Sequence, residues 1–145
     1  MTHVIVSGYM NPIHPGHIEY LRLAKELGDV LWVIVNNDKQ AELKRGVPSF
    51  QDEDFRLAVV RAIRYVDVTV LSSDLDATVC KSIQNIYELI HRDKTEEDTK
   101  IIFAKGGDRM ADEIPERKVC EELGIEIVDS LGAKTHSSSN YALKK

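Results

Sequence analysis

Short apolar runs and helix-spaced apolar stripes alternate along this chain. Val4-Ile5-Val6 is a compact run closed by Ser7-Gly8, the pattern of a strand covered on both faces. Ile18, Leu21, Ala24 and Leu27 then fall three residues apart, one side of a helix that Gly28 stops. Val30 to Val35 is the strongest strand pattern, and a polar loop is expected from Asn36 to Val47. Ser49 with Asp52 three residues on resembles a capping box, and Phe55, Val59, Ala62 and Ile63 give the next helix its apolar stripe. Val66 to Leu71 reads as a third strand, followed by a helix that Asp76 caps and that carries Val79, Ile83, Ile86 and Ile90. The charge run from His91 to Lys100 reads as a solvated loop. Ile101 to Ala104, Ile114 to Leu123 and Ile125 to Val128 supply a strand, a helix and a strand, and Ser137 to Lys145 has room for a short last helix.

Strands alternating with helices predict an α/β fold, a doubly wound, Rossmann-like, five-stranded parallel sheet with right-handed crossovers. With strand order 3-2-1-4-5, residues 1–145 form one domain. Ligands of such sheets bind beyond the carboxyl ends of the strands, where the order reverses, which is between strands one and four. The two most unusual loops follow those two strands: Ser7 to His17, and Lys105-Gly-Gly-Asp-Arg109.

Composition narrows the classes. The 145 residues carry 19 basic and 24 acidic side chains, a formal charge of −5, which disfavours a nucleic-acid backbone as partner. An apolar fraction of 43% with 30% charged residues is ordinary for a soluble globular chain. Cys80 and Cys120 are too few and too far apart for a disulfide framework or zinc knuckle, and both read as buried thiols. The chain enters a strand pattern at once, with no leader and no long apolar span, so a cytoplasmic protein with no membrane partner is expected.

In the first loop, Gly8 lets the backbone leave the strand close to a ligand. Pro15 and Gly16 stand where a helix begins, so free backbone N–H groups there are expected to favour an anion, with His14 and His17 facing the same anion. Neither a P-loop nor a G-x-G-x-x-G fingerprint occurs, which argues against a nicotinamide oxidoreductase. Zinc would need a third ligand that the spacing does not offer.

Gly8-Tyr-Met-Asn-Pro-Ile-His-Pro-Gly-His17 resembles the G-x-F-(D/N)-x-x-H-x-G-H signature of the HxGH nucleotidylyltransferases, the cytidylyltransferase-like superfamily. Further along, Lys44 falls where that family has a loop lysine, and Ile63-Arg-Tyr-Val-Asp67 is similar to a segment of the glycerol-3-phosphate and choline-phosphate cytidylyltransferases. Lys105-Gly-Gly-Asp108 resembles the heptose-phosphate adenylyltransferases, and Ser137-Ser-Ser139 stands where the family has a Ser/Thr cluster. The resemblance implies an enzyme that moves a nucleoside monophosphate from an NTP, with Mg²⁺, onto a small phosphorylated or phosphonate acceptor, releasing pyrophosphate. It implies His14, His17 and Lys44 as catalytic groups, with Gly8, Tyr9, Met10, Asn11, Gly16, Lys105, Gly106, Gly107, Asp108, Ser137, Ser138 and Ser139 on the nucleotide. Lys44, Arg64, Arg109, Lys134 and His136 are the acceptor candidates, and a homodimer is suggested.

The chain departs from the pattern at Asn11, where cytidylyltransferases carry an acid, and at Arg109, where they carry Trp or Tyr. Gly132 to Ser139 replaces an arginine-bearing segment, so Lys134 or Lys105 would substitute. Arg64 to Asp67 leans towards CTP, and Asn11 with the Lys105 turn leans towards ATP; the balance favours CTP. The other readings are an ATP-dependent adenylyltransferase acting on a sugar phosphate, and a nucleotide-binding module that has lost catalysis. A class I aminoacyl-tRNA synthetase shares a similar turn but needs a far longer chain.

Overall fold

The computed structural model describes residues 1–92, 98–106 and 114–131. Ten elements run in the order β1 (Thr2–Gly8), α1 (Pro15–Glu26), β2 (Val30–Val35), α2 (Asp38–Arg45), α3 (Glu53–Arg61), β3 (Val68–Leu71), α4 (Cys80–His91), β4 (Lys100–Gly106), α5 (Arg117–Leu123) and β5 (Glu126–Leu131). The strands form one sheet of order β3-β2-β1-β4-β5, every neighbouring pair parallel, as the alternation predicts.

Successive side chains of a strand point to opposite faces, and this sheet is covered on both. Val4 and Val6 of β1 pack with Leu21 and Ala24 of α1 and Leu57 and Val60 of α3. Ile5, on the other face, packs with Phe103 of β4 and with Ile83, Ile86 and Ile90 of α4. That two-sided burial is why the strands read as unbroken apolar runs. No helix among the described residues is long and apolar enough to cross a membrane.

Gly28 closes the turn from α1 to β2 under the start of β1. A Cβ there would lie 2.8 Å from the Thr2 carbonyl oxygen and 2.8 Å from Val4 Cγ2. Neither neighbour can withdraw, since one is sheet backbone and the other a core side chain. Gly28→Ala is expected to cost about 1–3 kcal/mol of stability in a urea titration; an unchanged midpoint would contradict this packing.

Several local expectations are corrected. The polar loop from Asn36 to Val47 is mostly the helix α2, with a reciprocal capping box between Asn37 and Gln40 and a left-handed Gly46 (φ 73°) at its end. The inward residues of α3 are Arg56, Leu57 and Val60, whereas Phe55 is exposed. Asp52 alone caps α3, accepting from Phe55 N at 2.8 Å. The Ser49 hydroxyl is used elsewhere: it donates to Gln51 O and accepts from Asn11. Asp76 folds onto Thr78, and the first amides of α4, Lys81 N and Ser82 N, reach buried Asp74 instead, at 2.8 and 2.9 Å. β3 begins at Val68, not Val66, and α5 at Arg117, because Pro115 disfavours helical backbone at Ile114. Cys120 is buried, but Cys80 is only half-buried. The charged loop centre and the last helix lie outside the described residues.

Candidate active site

The loop leaving β1 leads to the start of α1, where His14 and His17 sit. Met10 sits in that loop in a left-handed conformation (φ 52°), its side chain buried beneath it. Its methyl group fills the space that a Cβ on Gly8 would need, 2.8 Å away. The room at Gly8 therefore goes to Met10. Asn11 also turns inwards: its amide donates to Ser49 Oγ (2.9 Å) and accepts from Gln51 N (3.0 Å). The Asn11–Pro12 peptide is cis.

At the helix start, His14 is the N-cap and His17 the third helical residue, and together they form a capping box built from imidazoles. Gly16 N donates to His14 Nδ1 at 3.0 Å, and His14 N donates to His17 Nδ1 at 3.1 Å. His17 N and Ile18 N both donate to His14 O, and Pro15 has no N–H to offer. The expected free amides are thus already engaged, and the groups the turn presents are the rings. An Nδ1 that accepts a hydrogen bond leaves the neutral ring's proton on Nε2, so each histidine is fixed as an Nε2–H donor. The rings lie 3.9 Å apart, centroid to centroid.

Burial, reinforced by the neighbouring His14, holds the His17 imidazole down at about 4, from an ordinary value of 6.5. Protonation would place a second proton on Nδ1 and break the cap. Because the folded value is the lower one, the unfolded chain binds the proton first as pH falls. Stability is expected to decline as pH drops from about 6.5 to about 4 and to level off below. Urea midpoints across that window measure it, and a flat profile would mean that the ring is not held neutral.

Lys44 lies in the last turn of α2, not in a loop, with its Nζ 4.4 Å from the centroid of the Tyr9 ring. Partial burial raises the Tyr9 phenol, with the Arg56 guanidinium opposing that shift. Arg56 is the organising residue that sequence reasoning missed. Its side chain is fully buried and donates to Tyr9 O, Asn36 O, Gln51 O and Asp38 Oδ1 at 2.6–2.9 Å. It joins the β1 loop, the end of β2, α2 and the segment before α3.

On the neighbouring strand, Lys105 Nζ lies 5.8 Å from the Phe103 ring centroid. Gly106 packs tightly: a Cβ would meet Tyr20 Cδ1 at 3.0 Å and Leu131 O at 3.1 Å. Tyr20 is held in place by donating to Ala104 O at 2.6 Å. Arg64 is exposed, its guanidinium 5.7 Å from the Tyr65 ring centroid. Tyr65 forms one wall of a cleft of about 590 Å³ that runs from His14 along Ile18 and Arg22 of α1. Asp67 is architectural, accepting from Leu31 N (2.8 Å) and Lys25 Nζ (2.6 Å) to join β3 to β2 and α1. Gly107, Asp108, Arg109, Lys134, His136 and Ser137 to Ser139 lie outside the described residues.

The family profile described as cytidylyltransferase-like matches residues 5–138, nearly the whole chain. The chain belongs to the cytidylyltransferase-like family. Within this family, it is 46% identical over 68 residues to the FAD synthase of Pyrococcus abyssi, a stretch of 47% of this chain and 46% of that protein. The match thus spans about half the length of that relative. It is 31% identical over 131 residues to the FAD synthase of Aciduliprofundum boonei, covering 88% of this chain and 75% of that one. A solved structure with the same fold is the lipopolysaccharide core biosynthesis protein from Thermoplasma volcanium, with a TM-score of 0.65 and 26% identity over 90% of this chain and 96% of that one.

Proposed function

We propose that this family member is a nucleotidylyltransferase that moves AMP from ATP to the phosphate of a small acceptor, with FMN the first acceptor to test. The reading rests on one observation: two imidazoles, tilted against each other at the start of α1, each held by backbone as an Nε2–H donor. Donors fixed before the reaction suit a transfer in which negative charge spreads over the α-phosphate oxygens. An oxygen of the acceptor phosphate attacks the α-phosphorus, the bond to the β-phosphate oxygen breaks, and pyrophosphate leaves with the electron pair. No enzyme nucleophile is needed, because the acceptor already carries one. His14 and His17 stabilise the α-phosphate, and Lys44, beside Tyr9, counters the charge of the phosphates.

Among the described residues no group of three or more His, Cys, Asp or Glu side chains could cage a metal ion. Mg²⁺ would arrive on the triphosphate, since this ion keeps several waters and binds mainly substrate phosphates. There it would neutralise charge on the phosphates.

ATP with FMN is preferred because the curated relatives named above make FAD. The lean towards CTP rested on Arg64 to Asp67, and Asp67 is occupied in holding the sheet together. CTP with a polyol phosphate is the second pair to test. The measurement is Mg²⁺-dependent pyrophosphate release, with the product resolved by chromatography. FAD formation is the expected result. If no NTP and acceptor pair releases pyrophosphate while nucleotides still raise the melting temperature, the chain is a binding module and the proposal fails.

A further inference from the structure

Residues 44–51 border the catalytic loop at both ends. Lys44 Nζ stands over the Tyr9 ring, while Ser49 and Gln51 both hydrogen-bond Asn11. Gly46 turns the chain between them. Half of the large exposed apolar side chains among the described residues fall between positions 43 and 55: Leu43, Val47, Phe50 and Phe55. Phe50 is the most open of these, 78% exposed, although the residues on either side of it are tied to the loop. Single exposed apolar residues are ordinary. Several of them along one segment tied to the candidate site offer apolar surface for a ligand to cover.

We propose that Val47 and Phe50 form the wall on which the acceptor's body rests, and that the acceptor is a phosphate monoester carrying a flat, aromatic ring. Lys44 and Arg45, immediately before this wall, supply the positive charge for the acceptor phosphate. The proposal rests on the transferase reading and adds the surface that selects the acceptor. Aromatic stacking together with loss of the exposed apolar area gives such a contact a sizeable effect on binding.

Steady-state kinetics with ATP and FMN test it. Phe50→Ser is expected to raise the KM for FMN about tenfold with kcat within about twofold, the size of effect one aromatic contact gives. Leu89→Ser, a change at an exposed apolar residue of α4, serves as the control and is expected to leave KM alone. Phe50→Trp should keep the KM and quench the fluorescence of bound FMN more than the wild type does, since an indole in contact with a flavin is an efficient electron donor. FAD formation with an unchanged KM in Phe50→Ser overturns the wall and leaves the transferase intact. Turnover of glycerol 3-phosphate but not of FMN overturns it as well, again without touching the transferase. So does a fall in sedimentation coefficient in Phe50→Ser, which would make the patch a contact between copies.

Discussion

His17→Ala is expected to lower kcat by about 10²–10³-fold, the loss that follows removal of one preorganised donor to a developing oxyanion. Binding of the NTP should weaken much less, because the donor matters most where charge builds in the transition state. The same change removes the acceptor for His14 N, so it also costs about 1 kcal/mol of stability through the cap. The two effects can be separated. In a capping box the third helical residue is ordinarily Glu or Gln, whose side chain takes the bond His17 Nδ1 takes here. His17→Gln is therefore expected to regain the lost stability while kcat stays at least about 100-fold down. Single-turnover pyrophosphate release and urea titrations on both variants make the test. Full activity in His17→Gln would mean that the ring serves only to cap α1.

Arg56→Met carries the largest expected loss of stability, about 3–5 kcal/mol. The guanidinium is 0% exposed, and its removal strands the carbonyls of Tyr9, Asn36 and Gln51 and the carboxylate of Asp38. Asp38 can turn to water, since its side chain is 41% exposed. The carbonyls are backbone, fixed by the elements around them, and an unmet buried acceptor costs about 1–3 kcal/mol. In a domain of ordinary net stability, about 5–15 kcal/mol, such a loss is a large part of the whole. Arg56→Lys should recover little, because an ammonium cannot reproduce the forked geometry that serves four acceptors. Urea midpoints of both variants against the wild type decide it, and a Met variant as stable as the wild type would show that the network contributes nothing.

The sheet was legible in the sequence because its central strands are covered on both faces and read as apolar runs, and parallel pairing followed from the alternation with helices; the order 3-2-1-4-5 is one of those that alternation allows. What stayed hidden was polar structure turned inwards. An apolar stripe on Phe55, Val59, Ala62 and Ile63 leaves Arg56 out, yet α3 turns Arg56, Leu57 and Val60 inwards. α2 buries only Gln40 and Ala41, too little to leave an apolar stripe. Its signals were there in other terms, Asn37 three residues before Gln40 and Gly46 past the end. Around His14 and His17 the residues and their location were readable, but the hydrogen bonds were not. Sequence spacing suggested open amides, and only coordinates show that the imidazoles have taken those bonds.

That arrangement bears on how such a protein can change its substrate. The Nδ1 of each imidazole accepts from the backbone of the turn it sits on. The two donors of the proposed site thus belong to one strand-turn-helix unit, β1 to α1, while Val47 and Phe50 belong to a separate stretch of chain. Exchange of Val47 and Phe50 could redirect the enzyme to a different acceptor while the two donors keep their aim. Mutational drift there would alter the product made long before it altered the kind of reaction performed.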